Sequence, residues 1–427
     1  MDKRFANLVA LTEAEAITLL ETPPDQLEEE DVSRYVAAAH LASFPSEASI
    51  KALMQAVKNT EDSLDNRITR RKAIESLGKL KVEQALPVIA DCLTDEDCYT
   101  VEVTAWAIGE IGTQDPGILE AIAQLLEKPN QTYRVIIHTL ANLNYIPALE
   151  RIRPFMEAAD EPTVSAAVSA VCRLTGDYTA IEKVVMLLQS DNVNARRGCL
   201  QDLIDARYYD AIPAIARCPI SLVFRLRAIR TLAQAGMAEG RLTFADVQPS
   251  LEQVLLDDPG TLDLVHEYDQ PPALDFAIQE LYQTDFGRCY LATQTLLSTY
   301  ADELPAALFA TYEADAHNDY GAHYHVVKLF GWLKYQPAYD FLVEALHNSP
   351  PQFQKSRAAA ALALGYLGDK RAIPDLMTSL DTSIWSLKYA ALIALDKLGD
   401  NSASRLVEDS DWAVRAKAAT LVPTTIK

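Results

Sequence analysis

The sequence predicts an all-α chain, an α-solenoid built from repeated helical hairpins. Three observations carry this. Two distant segments, "RRKAIESLGKLKVEQALPVIADCL" (70–93) and "RAAAALALGYLGDKRAIPDLMTSL" (357–380), share one plan. Each begins with Arg, runs through an Ala-rich stripe at helical spacing, closes on Leu-Gly, turns, and enters a second apolar helix. A column also recurs: Arg71, Glu102, Arg134, Ser165 and Arg197 stand 31 or 32 residues apart. That is the period of units that bury a face only against their neighbours. Finally, β-branched runs are short and there are only 15 glycines, so no segment reads as a strand.

The elements follow in order. The opening "MDKRFANLVALTEAEAITLL" reads as helix. Glu13 and Glu15 interrupt any signal-peptide pattern, and no later stretch is apolar enough to span a bilayer. Repeats then run regularly to about residue 236. Within them Gly78, like Gly368 later, is expected at a helix C-cap. Pro87 and Pro374 are expected in the first turn of a second helix, where a missing N–H costs little. The pattern fades over 237–345. "EGRLTFADVQP" and "DDPGTLDLVHEYDQPP" read as loops, and helices are expected around 272–284, 287–301, 304–313 and 322–334. From 346 to 427 regularity returns. "RAAAALALGYLGD" and "KYAALIALDKLGD" end 31 residues apart, and "DSDWAVRAKAATLV" closes the array as a half-unit. Three regions are therefore expected: 1–236, 237–345 and 346–427.

Composition narrows the function. Sixty acidic and 38 basic residues leave a net charge of −22. This argues against nucleic acid as main partner, because phosphate contacts need clustered Lys and Arg, and against docking on an anionic membrane. The six cysteines are scattered and include no C-x-x-C, as suits a reducing compartment. A soluble cytoplasmic protein is expected. Gly-rich phosphate loops, dinucleotide fingerprints and nucleophile elbows are all absent from the sequence.

Candidate functional residues come from the columns. Arg71, Arg134 and Arg197 have two readings: a ladder to aspartates of adjacent repeats, or a row of guanidiniums able to clamp carboxylates. Glu102 reverses the charge of this column without an obvious packing motive. One turn on, the matching row reads Glu75, Trp106, His138, Ser169 and Gln201. A stripe holding Glu102, Trp106, Arg134, His138, Arg197 and Gln201 predicts a pocket. Tyr99 and Tyr133 precede the helices at matching places, and Arg207, Tyr208 and Tyr209 occupy a repeat turn. Each tyrosine either walls a site for a flat ligand or caps its hairpin. Three of the seven histidines fall in "AHNDYGAHYHVVK" (316–328). His323 and His325 are spaced i, i+2, so they do not share a helical face, and the spacing is not that of a zinc site. No metal is expected. A polar turn and an acid/base or ligand role both stand for this segment. Asp319, Tyr320 and His323 are its candidates.

The repeats resemble the short subtype of HEAT repeats, with the pattern D-x-x-V-R-x-x-A-x-x-A-L-G. In that family the helix carrying Val-Arg lines the concave face. Together "RRKAIESLG", "DEDCYTVEVTAWAIGEIG", "GRCYLATQTL", "SIWSLKYAALIALDKLGD" and "DSDWAVRAKAA" resemble phycobilin lyases of the CpcE/CpcF type. The likeness covers nearly the whole chain and suits the fused, single-chain form. Within the family it is nearest to the phycoerythrobilin lyases of the CpeY/MpeY/MpeZ kind, which act on phycoerythrin α-subunits. The resemblance implies covalent attachment of a linear tetrapyrrole to an acceptor cysteine through a thioether, with the bilin as substrate and no cofactor. Under it, Arg71, Arg134 and Arg197 would bind the propionates, and Glu102 or Asp202 would hold the pyrrole nitrogens. Trp106, Tyr99 and Tyr133 would cover the flat faces, and His138 or His323 would move the proton. The "NHCQGN" motif of an isomerising relative is absent. A lyase-isomerase making phycourobilin, a non-catalytic adaptor and a bilin chaperone are the alternatives.

Overall fold

The computed structural model describes residues 11–27 and 32–422. The first ten residues of the expected N-terminal helix lie outside the described residues; a helix is present at Glu13–Glu21, capped by Thr12 and Glu15 bonding reciprocally. Among the described residues every regular element is helical, as the sequence predicts. None of their helices is long and apolar enough to cross a membrane. The chain forms two compact units, Met1–Val184 and Val185–Lys427. The boundaries read from sequence at 236/237 and 345/346 both fall inside the second.

In the first unit, four long helices stack in succession: α1 (Leu64–Lys79), α2 (Cys98–Ile111), α3 (Tyr133–Asn142) and α4 (Glu161–Thr175). Shorter partners back them, such as Leu86–Ala90, which holds Pro87 in its first turn as expected. The long helices pack through alanines and small polar residues. Ser165 and Ser169 on α4 are fully buried, as are Thr104 and Ala105 on α2. Small side chains at these positions let neighbouring repeats approach closely.

Gly78 serves this approach and is not a C-cap. It lies within α1, and a Cβ there would sit 2.9 Å from Ala107 Cα and 3.1 Å from the Trp106 ring. The positive φ that turns the chain after α1 falls instead on Lys81, at 53°. Gly368 is a true left-handed cap, with φ of 74°.

The second unit begins its series with α5 (Val193–Asp205) and α6 (Leu222–Ala238), packed on each other. Next comes α7 (Phe244–Leu256), where the sequence suggests a loop. Thr243 and Asp246 form a capping box that starts the helix, and Pro249 is accommodated inside it. Residues 257–272 contain no α-helix, in line with the loop reading. The series continues with α8 (Phe286–Thr299), α9 (Tyr320–Trp332), α10 (Gln354–Leu367), α11 (Trp385–Lys397) and α12 (Trp412–Leu421). Pro374 sits in the first turn of Ile373–Thr378, as expected.

Aspartate at the N-cap recurs: Asp97, Asp160, Asp285, Asp319 and Asp411 each accept backbone N–H bonds of the helix they open. Three of them also hold an arginine of another helix in the same unit. Arg71 Nη2 lies 2.7 Å from Asp97, Arg196 Nη2 2.5 Å from Asp285, and Arg230 Nη2 2.6 Å from Asp411. The ladder reading therefore holds for Arg71. In the second unit it falls on Arg196, one residue before the predicted Arg197.

Candidate functional site

The column prediction converges in the first unit. Four of the predicted residues, Arg71, Tyr99, Glu102 and Trp106, line one pocket of about 420 Å³, together with Ile68, Lys72, Glu75, Val103 and Val135. The size lies in the range of small-molecule sites. Helix stacking explains the convergence. α1 and α2 lie side by side, so positions one repeat apart face the same space.

The charged side chains in this pocket each have a partner. Asp97 fixes Arg71 through Nη2 at 2.7 Å and Nε at 2.8 Å, and the guanidinium lies 5.1 Å from the Tyr99 ring centroid. Desolvation pushes the Asp97 carboxyl up, but the Thr100 hydroxyl and Arg71 outweigh it and hold the group below its usual range. Glu75 accepts from Lys72 and Lys79, each at 2.6 Å. Burial works against its charge, and these two ammoniums more than offset that, so its carboxyl is also held low. Glu102 Oε2 accepts from the Thr132 hydroxyl at 2.9 Å. Among the described residues its second oxygen makes no hydrogen bond. It remains available to a donor entering the pocket. Trp106 is half-buried, wedged beside Gly78.

Other candidates from the sequence lie elsewhere. Tyr133 takes its structural role: its hydroxyl donates to Lys128 O at 2.8 Å and its ring packs on Phe155 at 4.7 Å. Arg134 Nη1 donates to Pro162 O at 2.7 Å. His138 is half-buried on α3 and does not line the pocket. In the second unit Arg197 donates to Thr284 O at 2.8 Å and lies over Phe224. Gln201 joins Asp205 to Arg227. Arg207, on an exposed turn at φ 51°, pairs with Glu239, and neither it nor Tyr208 lines the pockets described here. Asp202 is fully buried, which removes it from any solvent-facing groove.

The histidine segment is corrected most. Asp319 caps α9 through Gly321 N at 2.8 Å and Ala322 N at 2.7 Å, and Tyr320 is exposed. His323 and His325 are both fully buried, and among the described residues neither ring nitrogen of either has a hydrogen-bond partner. The sequence reading allowed one of them to see a groove; neither does. His323 packs on Phe353 at 4.7 Å, and His325 on Phe286 at 5.0 Å. Burial, with the Lys355 charge nearby, pushes His323 down to about 4 and His325 well below its ordinary value. Both are neutral at physiological pH and act as aromatic core residues. His317 is exposed and bonds Tyr312 O and Asn318, and Tyr312 stands between it and His323 with ring contacts to both, at 6.1 and 5.6 Å.

Sequence reasoning missed Lys72 in the first pocket, although it adjoins Arg71. It also missed a second pocket wholly within the second unit, lined by residues of α6, α7, α10 and α11. Its members form two groups, on α6 with α7 and on α10 with α11; Leu255 and Gln354, the nearest across the two, stand 99 residues apart, and no predicted column joined the groups.

Comparison with known proteins agrees with the architecture. The family described as HEAT repeats matches residues 25–109, 62–141 and 339–422. The chain is 57% identical over 418 residues to the uncharacterized phycocyanin operon protein Y of Pseudanabaena tenuis, covering 98% of this chain and 99% of that protein. It is 34% identical to the bilin biosynthesis protein CpeY of a Synechococcus species, covering 86% and 89%. It is 29% identical to the phycocyanobilin lyase subunit alpha of a Nostoc species, covering 50% of this chain and 83% of that one. The chain belongs to the HEAT-repeat bilin lyase family.

Proposed function

We propose that this chain attaches phycoerythrobilin through a thioether to a cysteine of a phycoerythrin α-subunit. The observation that carries this reading is the first-unit pocket, where aromatic Trp106 and Tyr99, cationic Arg71 and Lys72, and the half-engaged carboxylate of Glu102 meet around about 420 Å³. A linear tetrapyrrole offers the complementary groups: flat conjugated rings, two propionates and pyrrole N–H donors. Arg71 and Lys72 attract the propionates, and Trp106 and Tyr99 cover a ring face. The second oxygen of Glu102 accepts from pyrrole N–H groups and stabilises their protonated form, which makes ring A a better electrophile. The acceptor sulfur then bonds to the ethylidene carbon, and the proton goes to the adjoining ring carbon. The reaction is a net addition of S–H across a double bond, so nothing is oxidised or reduced. Most of the acceleration comes from holding bilin and acceptor together. Similarity to a bilin biosynthesis protein and to a phycocyanobilin lyase subunit supports the same reading.

Co-expression with phycoerythrobilin synthesis and a phycoerythrin α-subunit tests it. A covalent, zinc-fluorescent acceptor band on a denaturing gel is expected. The absorbance of the labelled peptide distinguishes phycoerythrobilin from phycourobilin. Unlabelled α- and β-subunits alike would sink the proposal.

A further inference from the structure

The second unit carries a pocket of about 450 Å³ that the reading above does not use. Its floor is apolar: Leu222, Leu226, Leu255 and Ala358. Its rim is cationic: Arg227, Arg230 and Lys355. In a chain of net charge −22, three cations around one apolar cavity need a reason.

The three are not alike. Arg230 is already committed. It binds Asp411 through both guanidinium ends, at 2.6 and 3.2 Å, and lies 3.9 Å from the Trp385 ring centroid and 5.1 Å from that of Trp412. This fixes Trp385 as a rigid wall. Arg227 is exposed, and among the described residues its guanidinium bonds the side-chain carbonyl of Gln201 alone, at 3.1 Å. Lys355 makes no hydrogen bond or ion pair with the described residues. Its ammonium rests on three aromatic rings, 4.4 Å from Phe286, 4.7 Å from Tyr320 and 5.2 Å from Tyr324. Burial is the main influence on this amine and pushes it down to about 8; Cys289, Asp257 and Asp319 partly offset the effect. His323 and His325 also lie within its field and stay uncharged. A half-buried cation without a carboxylate partner is stabilised by an incoming anion.

We propose that this pocket is a second binding site, independent of the first-unit pocket, for a flat conjugated carboxylate. Its apolar body lies on Leu222, Leu226 and Trp385, and its carboxylate bridges Arg227 and Lys355. An inorganic anion would not use the apolar floor, and a neutral aromatic would leave Lys355 unpaired. The site stands on the second unit's own residues and does not require the transfer reaction.

Biliverdin and its dimethyl ester are the probes, titrated into the purified full chain and followed by bilin absorbance and circular dichroism. Wild-type protein is expected to bind two equivalents of biliverdin. Lys355→Gln should remove one, while Lys355→Arg should keep it. The ester should fail at the same site, and esterification should cost nothing further in Lys355→Gln. Thermal melts confirm that each variant is folded. Trp106→Ala should remove the other equivalent. A single equivalent lost in Lys355→Gln but not in Trp106→Ala would uphold the second-unit site and count against the first-unit pocket. A stoichiometry and affinity unchanged in Lys355→Gln, or an ester bound as tightly as the acid, would overturn the proposal.

Discussion

Glu102 stands where the neighbouring repeats carry arginine or serine, and it was legible because it broke a column. The structure gives the anomaly a use. One oxygen is held by Thr132, which fixes the side chain, and the other is available in an aromatic and cationic pocket. Glu102→Gln keeps the shape and removes the charge. A charge-assisted bond is lost, so bilin transfer should fall by about 10- to 100-fold while the melting temperature stays nearly constant. Transfer rates with a purified acceptor check this. The histidines carry the opposite lesson. Sequence polarity marked His323 and His325 as candidates, yet both serve as neutral rings in a core. Only tertiary packing reveals that. It has a measurable consequence. In the unfolded chain these histidines take up protons below about pH 6.5, and in the folded chain His323 resists protonation until about pH 4. The unfolded state therefore binds more protons across that window. Their contribution to stability is full above pH 6.5 and is lost as pH falls. For His323 the loss is on the order of 3 kcal/mol over the whole interval. Denaturant melts at pH 7 and pH 5 should show the decline, and His323→Phe should flatten it.

At the scale of the element, the hairpin period was readable because each repeat presents the same stripe of small side chains. Gly78 shows where that reading stops. Leu-Gly looked like a helix end, but the glycine is needed for contact with Ala107 and Trp106. A glycine that caps and one that allows close approach look alike in sequence; only the neighbouring helix distinguishes them. Gly78→Ala should push α1 and α2 apart, at a cost of about 1–3 kcal/mol, and should disturb Trp106 within the pocket. Gly368→Ala acts differently, since nothing crowds it and only its φ of 74° is strained. Unfolding curves, with Trp106 environment read by near-UV circular dichroism, separate the two effects. Helix α7 was missed for a local reason: its Asp and Pro suggested a loop, while a capping box and tertiary contacts made a helix.

At the scale of the whole molecule, the solenoid class followed from periodicity, and so did the four helices expected around 272–284, 287–301, 304–313 and 322–334 in the irregular middle. Its organising feature is a buried polar cluster. Arg225 and Asp257 are both fully buried and paired. Tyr290 Oη donates to Asp257 at 2.9 Å, and Tyr324 also donates to that carboxylate. Arg225, Asp257, Tyr290 and Tyr324 follow one another at 32, 33 and 34 residues, close to the repeat period, so the cluster is a column that the sequence reading did not pick out. Asp257→Ala leaves Arg225 buried without its counter-ion and should cost about 3–5 kcal/mol of stability in the second unit. Differential scanning calorimetry would read this directly. The two pockets differ in how far the sequence announced them. The one made from adjacent repeats was foreseen in four residues, and the one made from distant helices was not foreseen.

The central claim is that the chain joins a bilin to a cysteine by simple addition in the first-unit pocket. Mass spectrometry of the acceptor peptide after incubation with purified chain and phycoerythrobilin tests it most directly. The account predicts a peptide heavier by one intact bilin, with no hydrogen gained or lost, and a yield that collapses in Trp106→Ala. An acceptor left unmodified, or a yield indifferent to Trp106, would contradict it.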